Sequence, residues 1–539
     1  MRLTHACKRL LMVAVCATLG VAVVPTVRAA DEVDQNDPAV RRAAKGGKMT
    51  PEQLVKIRIA ELEGGAITEM LKTPDAVTIV GPPLSEREKT VQVFNRLSFG
   101  PRPGDIDEVS KSGWEKWVKA QLDPEKIDDS KLDALVQKRY ATILTKSMEQ
   151  LSNDYTDRDE RRKKMETYRR DLREMVLVRS VMSNRQFKEV MAEFWRNHFC
   201  VDTPDNDETA RAYTATDYEE KVIRKHVMGD FKMMLFDSAR HPCMLEYLDN
   251  FKSRGNGQWN ENYAREVMEL HTLGADRFYN EYDVLELTKV LTGWTYNDKF
   301  QFEFRQNWHQ QGPKTVLGTQ IKPGYEGGEY ALYGLATHRG TADFIAFKLC
   351  RYLVNDNPPS SLVSKVSSTF KSSGGNLSKT YAAIINSPEF LQRANYRAKF
   401  KTPFEFTVSA LRMTGATVDD GTETLKILTK MGQPVYNSKD PTGYYDQAEA
   451  WRDAGVLTSR WDYTWKLLTG RIKGVTVSSD FVKSFAGLKD QALIDKLTET
   501  LIGADIGSRT LDVLRKTQAD GKLEDMISIL MGSPSFQQQ

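Results

Sequence analysis

Histidine is scarce in this chain, seven among 539 residues, and cysteine is scarcer, with five. Two of the five, Cys7 and Cys16, fall in the first sixteen positions, leaving Cys200, Cys243 and Cys350. Three thiols cannot staple a chain of this size, so a disulfide scaffold is excluded; one bridge with a thiol left over, or three buried thiols, both remain open. No Cys-x-x-Cys, His-Glu-x-x-His or Glu-x-x-His spacing occurs, which removes the usual zinc and di-iron patterns. Gly-x-Ser-x-Gly and phosphate-cradling glycine loops are also missing. Charge of one sign is missing too: 76 basic against 73 acidic side chains give a net charge of +3, with no nucleic-acid footprint. The mixed-sign run RDERRKKMETYRRDLRE, Arg158 to Glu174, reads as a solvated helix face.

The one long apolar run lies at the start. Arg2, Lys8 and Arg9 precede Leu10 to Val24, an uncharged stretch of 15 residues, and Pro25 breaks it before Val27-Arg28-Ala29-Ala30. That order is a secretory signal peptide for the general route, with cleavage after Ala29 or Ala30. The run is short for a membrane span, which takes ~20 residues. Cys16 raises a lipid-anchor alternative, disfavoured by the bulk of Val15 before it. The expected location is periplasmic or extracellular. The remaining ~510 residues suffice for two to four compact units.

Helical signals dominate the rest of the chain. Ser85 with Glu88 forms a capping box ahead of a helix, and Asp283 with Glu286 suggests another, for a helix ending at Gly293. WEKWVKAQL and KLDALVQKRYATILTKSMEQL space their apolar residues by three and four. Between 299 and 321 apolar and polar residues alternate on both sides of Gly312-Pro313, which reads as a β-hairpin. GNLSKTYAAIINSPEF (375–390) matches GKLEDMISILMGSPSF (521–536) as a weak repeat: an amphipathic helix stopped by Ser-Pro, with Phe390 or Phe536 folding back as a plug. The expected fold is mainly α, a multi-helix globular protein with a small antiparallel β-hairpin insertion. The expected divisions are a signal peptide (1–29), a polar, partly helical lead-in with the linker PDAVTIVGPP (30–84), a helical core with the hairpin (85–400) and a helical C-terminal region with an aromatic loop (401–539).

Several motifs occur in a fixed order: FNRLSFGPRPGDIDEV (94–109), FWRNHF (194–199), HPCMLEYLDN (241–250), NENYAREVMELHTLG (260–274), DVLELTKVLTGW (283–294), KTVLG (314–318), LATHRGTADFIAFKL (335–349), and MGQPVY followed by PTGYY (431–445). Together they resemble the bacterial family catalogued as domain of unknown function 1800, over about residues 88–539. The resemblance implies an exported protein, whose genes often sit beside those of a second exported family similar to phosphatases and sulfatases; it implies no activity. Two loops depart from the family's pattern. NSKDPTGYYDQAEAW (437–451) is more polar than usual, and ADRFYNEYD (275–283) lacks a glycine before its tyrosine. If those loops shape specificity, this chain's partner differs.

The densest polar chemistry is in NENYAREVMELHTLG. With Asn260 or Asn262 as N-cap and Gly274 past the C-terminus, Asn262, Glu266 and Glu269 fall on one helical stripe, with Arg265 beside them and within reach of Glu261 and Glu269. Three readings stay open: a surface ion-pair ladder, a buried paired core, or a cleft in which two carboxylates crowd, so that one holds its proton and acts as an acid. In FWRNHF, Glu193 and Asn197 share one face and Phe194 and His198 another. The candidate catalytic residues are Glu266, Glu269 and His198. The candidate binding residues are Asn197, Asn262, Arg265, His271, Trp195 and Trp451. His271 has a plainer role at its helix's C-terminal carbonyls, His241 before Pro242 reads as a loop or cap residue, and His309 and His338 are the more mobile histidines. No metal is assigned, though His198, Glu266, Glu269 and His271 form a ligand set should they converge; cofactors are unknown. Tyr436, Tyr444, Tyr445, Trp451, Trp461 and Tyr463 form either a platform for sugar or peptide or a core plug. The function expected is a hydrolase-like acid/base cleft acting on an envelope or extracellular polymer. The alternative is a non-catalytic binding or assembly protein working with a co-exported phosphatase- or sulfatase-like partner, with possible ligands a glycan or a peptide.

Overall fold

The structure is a computed structural model that describes residues 81–539 except 206–207, 276, 504–505 and 521. The signal peptide, its alternative at Cys16 and nearly all of the lead-in and linker lie outside the described residues.

The chain is mainly α-helical, with three small two-stranded antiparallel sheets among the described residues. Local signals set many of the helix starts. Ser85 accepts the Glu88 N–H at 3.3 Å while Glu88 accepts the Ser85 N–H at 2.8 Å, opening Glu86–Leu97. The Glu281–Leu291 helix uses a box three residues earlier than the Asp283–Glu286 pairing suggests: Asn280 is the cap and Asp283 its reciprocal partner. Glu286 instead accepts the Thr315 N–H at 2.9 Å, on a neighbouring strand.

The antiparallel insertion is present in finer form than one hairpin. Trp294–Tyr296 pairs with Phe302–Phe304, and Lys314–Val316 pairs with Thr319–Ile321. Gly312-Pro313 lies between the two ribbons, not at a turn joining paired strands; the second turn uses Leu317 and Gly318, both at positive φ. The internal repeat is structural: Leu377–Ile385 and Leu523–Gly532 are each followed by a short Pro-led turn, and Phe390 and Phe536 are fully buried.

One main apolar core runs from Val93 to Phe536, so both chain halves contribute to it. The last residues close it through an isolated antiparallel bridge between Gln538 and Phe400: Lys399 N–H bonds Gln539 O at 3.1 Å, Gln539 N–H bonds Lys399 O at 2.8 Å, and Lys401 N–H bonds Gln537 O at 2.8 Å. The three described cysteines are free and buried, which burial of a small apolar thiol explains. Among the described residues no helix is long and apolar enough to cross a membrane.

Candidate functional site

The FWRNHF helix, Gln186–His198, carries its polar residues into two settings. One is a buried charge ladder. Arg196 bonds Glu219 through Nε at 3.0 Å and Nη2 at 2.8 Å, and also reaches Glu193. Arg224 holds Glu189 in a fork at 2.8 and 2.7 Å. Tyr436 donates its hydroxyl to Glu219 at 2.6 Å. Burial works to raise the proton affinity of Glu219, but the Arg196 guanidinium outweighs it and holds the carboxyl at about 2. Glu219 sits at the head of a π-helical turn, Glu219–Arg224, which continues the Arg211–Tyr218 helix. The paired polar core that the sequence suggested for one helix is thus built between other elements.

The second setting is a recess. Glu193, Phe194, Asn197 and His198 from this helix line it with Lys348 and Arg351 of the Arg339–Leu353 helix, Thr402 and Glu405 at the start of the Pro403–Met413 helix, and the 431–446 loop. It encloses about 70 Å³. Asn197 fastens the loop over it with two bonds: its Nδ2 donates to Tyr444 O at 2.7 Å and its Oδ1 accepts the Tyr444 N–H at 2.7 Å. The approach requires Gly443. Its φ is +73°, and a Cβ there would lie 2.4 Å from Asn197 Oδ1. Thr402 and Glu405 form a capping box, the Thr402 N–H bonding Glu405 Oε2 at 2.8 Å, which fixes that carboxylate. Gln433 accepts the Phe404 N–H through Oε1 at 2.8 Å.

Glu193 and Asp446 are the partly exposed carboxyls here. Burial raises the proton affinity of Glu193 above the ordinary range; Arg196 opposes this, while Glu219 and Glu405 add to it. A carboxyl whose proton affinity is raised by burial and by neighbouring carboxyls is a candidate general acid. Among the described residues no three His, Cys, Asp or Glu side chains gather in a metal-holding cluster.

The residues singled out in the sequence are dispersed. Asn197 and His198 line the recess; Glu266, Glu269, Arg265, Asn262 and His271 do not. Arg265 lies on a partly exposed flank, forked onto Glu281 at 2.8 and 2.7 Å and 3.3 Å from Glu261, so the ion-pair reading describes it best. Glu266 and Glu269 are partly buried. Asn262 is exposed at the helix start, its N–H bonded to Asn260 Oδ1 at 3.0 Å. The helix does not stay α: after Asn262–Glu266 it widens into a π turn, Val267–Thr272, with Leu273 N–H bonding Met268 O at 2.8 Å. Beyond Glu266 the 3.6-residue stripe that aligned Glu269 therefore does not apply. Trp195 is fully buried and donates to the Tyr381 hydroxyl. Trp451 is buried, its Nε1 donating to Tyr445 O at 2.7 Å; it braces the loop from behind.

His198 is caged by Phe194, Trp195 and Phe199 and lies 3.1 Å, through Nε2, from His271 O. Burial, with Lys348 nearby, depresses both histidines, His198 well below the usual value and His271 to about 3. Both imidazoles are neutral.

Local reading could not find Glu405, Lys348, Arg351, Gln433 or Asp446 as site residues. Thr402-Pro-Phe-Glu405 did carry a capping signature, but that marks a helix start, not a cleft. A roomier cleft of about 520 Å³ lies beside the Ser130–Arg139 helix. Two of its charges are spent on structure: Arg412 holds Gly100 O at 2.7 Å and Val181 O at 2.8 Å, and Asp129 takes the Ser183 hydroxyl and the Asn184 N–H. The recess at Glu193 gathers three carboxyls, Glu193, Glu405 and Asp446, with Lys348 and Arg351 in one opening and is the better candidate.

No curated protein and no solved structure matches the chain. A family model described as "Protein of unknown function (DUF1800)" matches residues 92–538, nearly all of the structure, with the FWRNHF helix, the π-turn helix and the PTGYY loop inside it; the chain belongs to that family.

Proposed function

We propose that this protein is an exported, hydrolase-like acid/base enzyme working in the Glu193 recess, with Glu193 as the proton donor and Glu405 as its partner carboxyl. The observation that carries the reading is the pair itself: two carboxylates line one opening, and the Glu405 charge helps keep the proton on Glu193. Lys348 and Arg351 supply cationic charge to orient a polar group, and Tyr444 and Tyr445 shape the rim. The substrate belongs to an envelope or extracellular polymer, in keeping with the signal peptide read from the sequence. The pair Glu266 and Glu269 is the rival assignment on the neighbouring helix.

Purified protein is assayed for hydrolysis of a panel of glycosides, esters and peptides. Glu193→Gln and Glu405→Gln should each lower turnover ~10²–10⁴-fold, the usual worth of a general acid or base, while Glu266→Gln and Glu269→Gln leave it within a few-fold. The opposite pattern would move the acid/base pair to the π-turn helix. A second reading is favoured by the Asn197 latch and the Arg196–Glu219 ladder, where polar groups act as struts: a non-catalytic binder joined to a co-exported partner. It predicts no turnover in the panel, with a complex surviving co-purification from the native envelope.

A further inference from the structure

We infer that Ser409 and Lys401 form a second catalytic site, a serine–lysine pair that cleaves a neutral carboxylic ester carrying an apolar acyl chain. The site goes beyond the Glu193 recess and shares no lining residue with it. Both residues come from one stretch, KTPFEFTVS (401–409). Thr402 caps the Pro403–Met413 helix. Lys401 therefore stands just ahead of the first turn, and Ser409, seven residues after the cap, lies two turns along the same stripe. Lys401 Nζ is 3.0 Å from Ser409 Oγ, within the reach a base needs to take the hydroxyl proton. The lysine is held in place: its N–H bonds Gln537 O at 2.8 Å, and the Phe536 ring lies 4.0 Å from Nζ.

A lysine acts as a base only as the free amine. Burial, then the Arg397 guanidinium, with Arg460 and Arg96 adding to it, depresses Lys401 well below the ordinary lysine value, while Glu405 opposes. The uncharged amine keeps a lone pair for the Ser409 proton. Both side chains line a recess at the 98–101 turn. Gly100 keeps the hydroxyl approachable there. Its φ is +108°, and a Cβ would lie 2.9 Å from Ser409 Oγ, closer than the ~3–3.5 Å at which an attacked carbon sits. The charges at this recess are engaged within the protein: Arg87 pairs with Asp107 at 2.7 Å and Glu499 at 3.2 Å, and Arg397 holds Ile502 O at 2.6 Å. A neutral substrate fits that arrangement, and Val91, Ile106, Met413 and Leu501 give an acyl chain an apolar wall. Asn95 and Thr500 line the recess too, an amide and a hydroxyl with protons to donate to the carbonyl oxygen.

The reaction balances with water as co-reactant. Ser409 Oγ attacks the ester carbonyl carbon as its proton passes to Lys401 Nζ. The ester C–O bond breaks, and that proton passes to the departing alkoxide oxygen, leaving an acyl-serine and a free alcohol. A water oxygen then attacks the acyl carbon while its proton passes to Lys401. The bond from that carbon to Ser409 Oγ breaks as the proton returns to Oγ. The products are a carboxylic acid and an alcohol, with both side chains restored.

The test is hydrolysis of p-nitrophenyl butyrate by the mature protein, with intact-mass and peptide-map analysis of samples quenched in acid during turnover. This activated ester acylates a serine faster than the acyl-serine hydrolyses, so the intermediate accumulates. p-Nitrophenol should be released and a butyryl group found on Ser409. Ser409→Ala should abolish the adduct and lower turnover at least ~10³-fold, while melting close to wild type. Lys401→Met should abolish the adduct as well; where that variant does not fold, the wild-type adduct and Ser409→Ala decide. No butyryl group on Ser409, or turnover unchanged in Ser409→Ala, overturns the inference. Turnover that survives Ser409→Ala and is lost in Glu193→Gln overturns it and supports the acid/base reading of the other recess.

Discussion

At the scale of single residues, the buried ionisable groups pull stability in different directions with pH. Glu219 is held at about 2 when folded, against an ordinary 4.5. Its contribution is therefore present above pH ~4.5 and is lost as pH falls toward 2. His271 titrates at about 3 when folded and near 6.5 otherwise. Between those values the unfolded chain binds the extra proton, so stability falls as pH drops from 6.5. Glu193 behaves in reverse: its folded affinity is raised, so its contribution is full below 4.5 and fades as pH rises through its folded value. Urea midpoints from pH 7 to 5 should decline in the wild type, and His271→Phe should flatten that decline; an unchanged slope would remove His271 as the cause. Removing Glu219 leaves Arg196 buried with its main partner gone. Glu219→Ala should cost ~3–5 kcal/mol in urea unfolding, whereas Arg265→Ala, on a partly exposed flank, should cost under ~1 kcal/mol.

At the scale of elements, the loop over the recess depends on a glycine and an amide. Gly443→Ala forces a side chain against Asn197, and Asn197→Ala removes both bonds to Tyr444. Each should destabilise by ~1–3 kcal/mol and speed proteolytic nicking within 437–446, while a loop held by other contacts would resist cleavage as before. Elements of this kind also mark what a sequence can reveal. The Ser85–Glu88 box and the buried plugs Phe390 and Phe536 were legible because caps and periodicity act over a few residues. The role of Glu286 is not legible locally, because its partner is the Thr315 N–H on a strand beyond the end of its helix. The π turn at Val267–Thr272 was missed because nothing in a local apolar pattern distinguishes a wider turn. The recess escaped for the same reason: Glu193, Lys348, Glu405 and Asp446 lie in four distant segments, and only packing brings them together. NENYAREVMELHTLG drew attention by density of polar residues, which is a local property; convergence is not.

At the scale of the whole molecule, one core joins Val93 to Phe536 and the bridge between Gln538 and Phe400 seals it. Gln537 also accepts from the fully buried Arg460 at 2.6 Å. Deleting 537–539 breaks three ladder bonds and leaves Arg460 short of a partner, so the truncated protein should melt several degrees lower, still in one transition. Two separated transitions would mean that the halves fold independently.

That seal also sets an order of events. Residues 537–539 pair with 399–401, segments far apart along the chain, and loop-closure entropy is lost before so distant a contact gives anything back. The helices, whose contacts are local, therefore form first, and the seal is among the last contacts made.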